Sequence, residues 1–234
     1  MERKIIIEDM LQRLIERIKK AGYEEHWIRR AKELINELQR RGIYGIDRFV
    51  KKLSDRANEK QDYLDILREG RFAIILVRNN FSEITFIKEE RRRKLPDMKT
   101  NWNRNTIYFE VTRSRPSEDD VAIQAGAAFV SQDSIENIIG KIREKLPQLQ
   151  SGGINIVVIW SDTINWLPPI MEEAFKYIQR EVNQNPGVYE KLSGVLFTES
   201  GEAIYPSEFK LFKNNEALKP LRESLAVKLE SLGK

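Results

Sequence analysis

Apolar positions at the start of the chain recur at helical spacing. Ile7, Met10, Leu11, Leu14, Ile15 and Ile18 form one stripe, closed by Ala21-Gly22, and Trp27, Ile28, Ala31, Leu34, Ile35 and Leu38 form a second, closed by Arg41-Gly42. Apolar residues three and four apart share one face of a helix, and a glycine past the last of them is the usual stop. Ile46 to Leu53 predicts a short third helix. Residues 1–55 therefore read as a helical extension without a chemical motif, suited to packing or to binding a partner.

The pattern then changes. Tyr63, Leu64, Ile66, Leu67 and the run Phe72 to Val77 predict a buried helix within 56–80, although the run alone would also suit a strand. Ile84 and Phe86 begin a strand, and a second begins near Pro96 to Lys99. Asn101-Trp102-Asn103-Arg104-Asn105 is turn chemistry. Thr106 to Thr112 is rich in β-branched and aromatic residues and predicts a third strand. Ile135, Ile138, Ile139, Ile142 and Leu146 return to the helical period. Ile154 to Trp160 predicts a buried strand, Ile170 to Val182 a helix, Val195 to Thr198 a short strand, and Glu216 to Leu232 a last helix. This order of elements implies an α/β core over 56–234, a mixed sheet with helices packed on its faces.

Composition narrows the chemistry. The chain has 234 residues, no cysteine and one histidine, His26. Disulfides, thiolate zinc sites, cysteine nucleophiles and multi-histidine metal sites are thereby excluded. The longest apolar runs fall well short of the roughly 20 residues that span a bilayer. The N-terminal apolar stretch, Ile5 to Ile7, is too short for a signal peptide, so the expected location is the cytoplasm, with no membrane partner. The net charge is +4. Arg91, Arg92, Arg93 and Lys94 are consecutive, and Lys99, Arg104, Arg113 and Arg115 follow. Such a cluster suits phosphates; a solvated charged loop is the plainer alternative.

The informative constellation is Pro96-Asp97, twelve residues, then Glu110-Val111-Thr112. Residues two apart on a strand point to the same face, so Glu110 and Thr112 project together. Carboxylates that meet over an apolar sheet repel unless a cation joins them, and Mg²⁺ prefers oxygen ligands. With its sequence position after a helix and before a helix and a strand, the pattern resembles the PD-(D/E)XK nuclease superfamily, over about residues 60–160. The resemblance implies a restriction-endonuclease-like fold, with Asp97 as the aspartate opening the second strand and Glu110 as the acidic residue of the third. It further implies Glu69 as the glutamate of the preceding helix and Mg²⁺ or Mn²⁺ held by Asp97 and Glu110. Thr112 stands at the family's lysine position. Lys99, Arg113, Lys141 or Lys145 are the cations that would replace that lysine, and Lys99 is favoured because alternation along the strand sets it beside Asp97.

The expected activity is metal-dependent hydrolysis of DNA phosphodiester bonds, with Arg91, Arg92, Arg93, Lys94 and Arg104 on backbone phosphates. The alternative is an inactive nuclease-fold protein serving as a platform for nucleic acid or protein. Many members of that family act as dimers, so a homodimer through the helical extension is within the resemblance. Gln124 reads as a half-buried helix residue more readily than as a site residue. His26 reads as structural or exposed, Trp102 as a packed turn residue or a base-stacking one, and Tyr108, Trp160 and Trp166 as core or core edge. Ser151-Gly152-Gly153 lacks the lysine of a phosphate-binding loop.

Overall fold

The computed structural model describes residues 2–88, 90, 94–114, 132–161, 168–199, 206 and 208–233. The chain divides into two compact units, Met1–Arg104 and Asn105–Lys234. The helices expected as a separate extension thus share their unit with the helix and strands that follow them.

The first unit is built from α1 (Glu2–Lys20), α2 (Glu25–Arg40), α3 (Ile46–Asp55), α4 (Lys60–Arg78), β1 (Ser82–Phe86) and β2 (Met98–Trp102). The stripes read from the sequence are its core: Leu14 and Ile18 on α1, Ile28, Ala31, Ile35 and Leu38 on α2, and Phe49, Val50 and Leu53 on α3 are almost fully buried. The run Phe72 to Leu76 is helical and buried within α4. Strands β1 and β2 pair antiparallel, Thr85 opposite Lys99 and Phe86 opposite Met98, with an irregularity between Ser82 and Thr85.

Two glycines set where α3 lies. Gly45 precedes α3 with φ 72°, and a side chain there would bring its Cβ to 2.6 Å from the Phe86 carbonyl oxygen. Its neighbour Tyr44 meanwhile exchanges backbone hydrogen bonds with Ile84 and Phe86. A Cβ on Gly70 of α4 would lie 2.7 Å from the Phe49 ring and 2.9 Å from Leu34. Glycine is needed at both because backbone and side chain approach too closely for any other residue.

The second unit contains β3 (Asn105–Ser114), α5 (Gln132–Lys145), β4 (Ile154–Ser161), α6 (Pro168–Gln184), a one-turn helix α7 (Pro186–Tyr189), β5 (Gly194–Glu199), β6 (Phe209–Lys213) and α8 (Glu223–Glu230). Strands β3, β4 and β5 are parallel neighbours, and β6 joins β5 antiparallel, giving a mixed sheet. The expected α/β class with a mixed sheet and flanking helices is what the chain adopts. Helices α5 and α6 bury Ile135, Ile138, Ile139, Ile142, Ala174, Ile178 and Val182 against Val157 and Ile159 of β4, Val195 and Phe197 of β5 and Phe212 of β6.

Buried Asn155 fixes the start of β4. Its amide donates to the carbonyls of Gln150, Gly153 and Lys191 and accepts from the Gln150 N–H, while its own backbone N–H donates to Ser193. A buried amide whose groups are all bonded fixes a junction without the desolvation cost of an unpaired one.

Candidate functional site

In the first unit Glu69 sits on α4 beside Gly70, and Asp97 immediately precedes β2. Both carboxylates are nearly removed from solvent, their side chains 6% and 7% exposed. The Lys52 ammonium, from α3, lies between them. Its Nζ is 2.9 and 3.0 Å from the two Glu69 carboxylate oxygens and 2.6 Å from Asp97 Oδ1. The close approach of α3 to α4 at Gly70 is what lets a helix outside the expected core reach this pair. Burial alone would lower the Lys52 pKa, but Asp97 and then Glu69 outweigh it, and the group is held well above its ordinary value. Lys52 is charged at any physiological pH.

In the second unit Glu110 lies on β3 opposite Val157, and Thr112 opposite Ile159. In-register neighbours on a sheet share a face, so Glu110 and Thr112 both project to the side covered by α5 and α6. Arg113, opposite Trp160, turns to the other side, as alternation predicted. Glu110 is 2% and Thr112 8% exposed. The Lys145 ammonium, from the last residue of α5, reaches the Glu110 carboxylate at 2.8 Å.

Each acidic residue singled out in the sequence is therefore buried and paired with a lysine, but not with the lysine favoured there. Lys99 is exposed, its backbone opposite Thr85, and Lys52 is the lysine at Asp97. Of the other substitutes considered, Lys141 pairs with Glu144 on the exposed side of α5, and Lys145 is the one that meets Glu110. Lys52 was missed altogether. The available signal was its place three residues after Phe49, which sets a charge at the edge of the α3 apolar stripe; Lys145, three after Ile142, repeats the pattern on α5.

Lys94 and Arg104 are exposed, whereas Arg91, Arg92, Arg93, Arg115, Gln124 and Trp166 lie outside the described residues. Trp102 packs on Phe81, ring centres 4.9 Å apart, which favours the packed reading over base stacking. His26 lies against Trp27 and 3.2 Å from Glu24, a structural setting. Trp160 is core, and Tyr108 is half-buried.

Oxygen-only donors of this kind match the preference of Mg²⁺ and Mn²⁺, and the three oxygens that grip the Lys52 ammonium already hold a cation. Among the described residues, no group of three or more acidic or histidine side chains is gathered as a metal centre, and no helix is long and apolar enough to cross a membrane. No protein-family model, curated protein or solved structure matches the chain.

Proposed function

We propose that this chain is a metal-dependent nuclease-like protein that hydrolyses DNA phosphodiester bonds, with Asp97 and Glu110 as the cation-binding carboxylates and Glu69 supporting Asp97. The observation that carries the reading is that all three acidic residues picked out by the PD-(D/E)XK-like pattern are buried and each is engaged by an ammonium group. Buried carboxylates are costly to keep ionised and recur at functional sites. Bound Mg²⁺ or Mn²⁺ would supply electrostatic stabilisation of the phosphate as negative charge develops on it.

The chain's own groups take the remaining parts. Lys145 supplies, next to Glu110, the positive charge that Thr112 lacks at the family's lysine position. Thr112, on the same face of β3 as Glu110, offers a hydroxyl that both donates and accepts. Exposed Lys94 and Arg104, with Arg91, Arg92 and Arg93, bind backbone phosphates. Linear and circular DNA incubated with Mg²⁺ or Mn²⁺ should be cut by the natural chain and left intact by Asp97→Ala and Glu110→Ala.

A second reading, a nuclease-fold platform without catalysis, is favoured by one observation. Asp97, Glu69 and Glu110 are all closed by lysines, so the acidic residues have a structural role that needs no metal. It predicts DNA binding that falls steeply with salt, survives Asp97→Ala and weakens when Lys94 and Arg104 are neutralised.

A further inference from the structure

The outer face of the β1–β2 pair takes no part in the core of the first unit, and it sets an exposed aromatic ring among cations. We propose that this face binds single-stranded DNA: Tyr44 stacks on an unpaired base, and Lys88, Lys99 and Arg48 take the flanking phosphates. The inference rests on the DNA reading above for its polymer alone, and on neither the metal nor the cleavage.

Three chain segments build the face. Tyr44 bridges to Thr85 of β1 in parallel, and Thr85 lies opposite Lys99 of β2. Residues paired in register share a face, so the three side chains form one row. Ile84, Phe86 and Met98 turn to the other side and are buried. Tyr44 is 50% exposed, and among the described residues it is the one exposed aromatic side chain. Its support is fixed. Tyr44 donates its N–H to the Ile84 carbonyl, its own carbonyl accepts from Phe86, and Gly45 behind it lies too close to the Phe86 carbonyl for any side chain. A ring held in place beforehand loses little freedom when a base settles on it. Trp102, the aromatic that the sequence offered for stacking, packs on Phe81, which leaves Tyr44 as the open ring.

Charge selects the occupant. Lys88 and Lys99 are exposed and make no ion pair among the described residues. Arg48, four residues after Tyr44, is exposed, and its Nη1 donates to the Phe86 carbonyl at 3.1 Å. The Glu83 carboxylate nearby accepts from the Asn101 amide. An apolar partner would cover these cations without counter-charge, whereas a phosphodiester strand brings one negative charge per nucleotide. The ring decides the form of that strand. Inside a duplex each base already stacks on its neighbours, so a surface ring finds a free base face only in an unpaired strand. Adjacent strands lie about 4.8 Å apart, which separates the Tyr44 and Lys99 backbones by about 10 Å. The flexible lysine stem spans from a stacked base to a phosphate beside it.

The test measures binding in EDTA, where cleavage cannot intervene. A labelled oligonucleotide, single-stranded or annealed to its complement, is titrated with the natural chain and followed by fluorescence anisotropy. The natural chain should prefer the single strand. Tyr44→Ala should weaken single-strand binding at least about fivefold and leave duplex binding unchanged, while Tyr44→Trp retains it. Lys99→Ala should flatten the salt dependence. In the natural protein, the Tyr44 ring resonances should move upfield as the base stacks. Equal single-strand affinity of Tyr44→Ala and the natural chain, or ring resonances that stay in place at saturation, overturns the inference, and the reading above stands if DNA is still bound or cut. Polyglutamate binding as tightly as the single strand also overturns it, since the face then accepts any polyanion. If neither DNA form binds, the inference falls, and cleavage in Mg²⁺ decides the reading above by itself.

Discussion

The lysine–carboxylate sites of the two units solve the same electrostatic problem by different constructions. In the first unit three elements contribute: Lys52 from α3, Glu69 from α4 and Asp97 from the approach to β2. One ammonium spans two carboxylates, and the arrangement depends on how closely two helices pack. In the second unit Glu110 is placed by sheet register and Lys145 by the last residue of a single helix. A strand that is hydrogen-bonded in register cannot shift its side chains singly, whereas a helix–helix contact can be loosened by one methyl group. The first site is therefore the more easily disturbed, and the second the more rigid.

That difference can be broken from either side. The largest effect is expected from Lys52→Met, which leaves two buried carboxylates without this ammonium. Removing one partner of a buried pair costs about 3–5 kcal/mol, read as a lowered denaturation midpoint, and adding Glu69→Gln and Asp97→Asn should recover much of it. Lys145→Met leaves one buried carboxylate without this ammonium and should cost less, about 3 kcal/mol. A larger loss there than for Lys52→Met would reverse the comparison. Gly70→Ala should cost about 1–3 kcal/mol by overpacking, because its Cβ would lie 2.7 Å from Phe49. It should also disturb the Lys52 resonances while leaving those of Lys145 in place.

The smallest effect belongs to an ion pair away from both sites. Glu181, hydrogen-bonded by Arg143 and by the Tyr189 hydroxyl, is held below the usual carboxylate range, chiefly by the Arg143 hydrogen bond. A carboxylate with a lowered folded pKa stabilises the fold above its unfolded pKa and loses that contribution as pH falls through the folded value. Arg143 is largely exposed, so Glu181→Gln should cost only about 0.5 kcal/mol at neutral pH. The difference should vanish in acid denaturation curves once pH has dropped below the lowered pKa.

Much of the fold was legible because periodicity reports burial. The stripes on α1 to α3, the buried run in α4 and the fully buried, mostly apolar β4 each follow from which residues must leave water. Among the elements not read correctly, two are instructive. Strand β6, Phe209–Lys213, was missed, since five residues at the end of the chain's polar stretch give too short an alternation. The last helix begins at Glu223 and not at Glu216. Pro220 lacks an N–H and disfavours a helical residue before it, while Leu218 donates its N–H to the Glu190 carbonyl instead.

The acidic residues of the candidate site, buried and lysine-paired in the structure, could be singled out because a strand pattern carries Glu110 and a short motif carries Asp97. Their counter-ions were not. Lys52 meets Asp97 across 45 positions of sequence and Lys145 meets Glu110 across 35. Only packing decides which of many lysines arrives. Alternation along β2 pointed to Lys99 because it considers a single strand, and the helix that reaches the same carboxylate from outside that strand is invisible to it.

DNA cleavage by the purified natural chain in Mg²⁺ or Mn²⁺, beside a folded Glu110→Ala control, tests the central claim most directly. The account predicts metal-dependent cutting that the substitution abolishes. A well-folded natural chain that leaves DNA intact in both metals, or a Glu110→Ala chain that cuts it equally well, would contradict it.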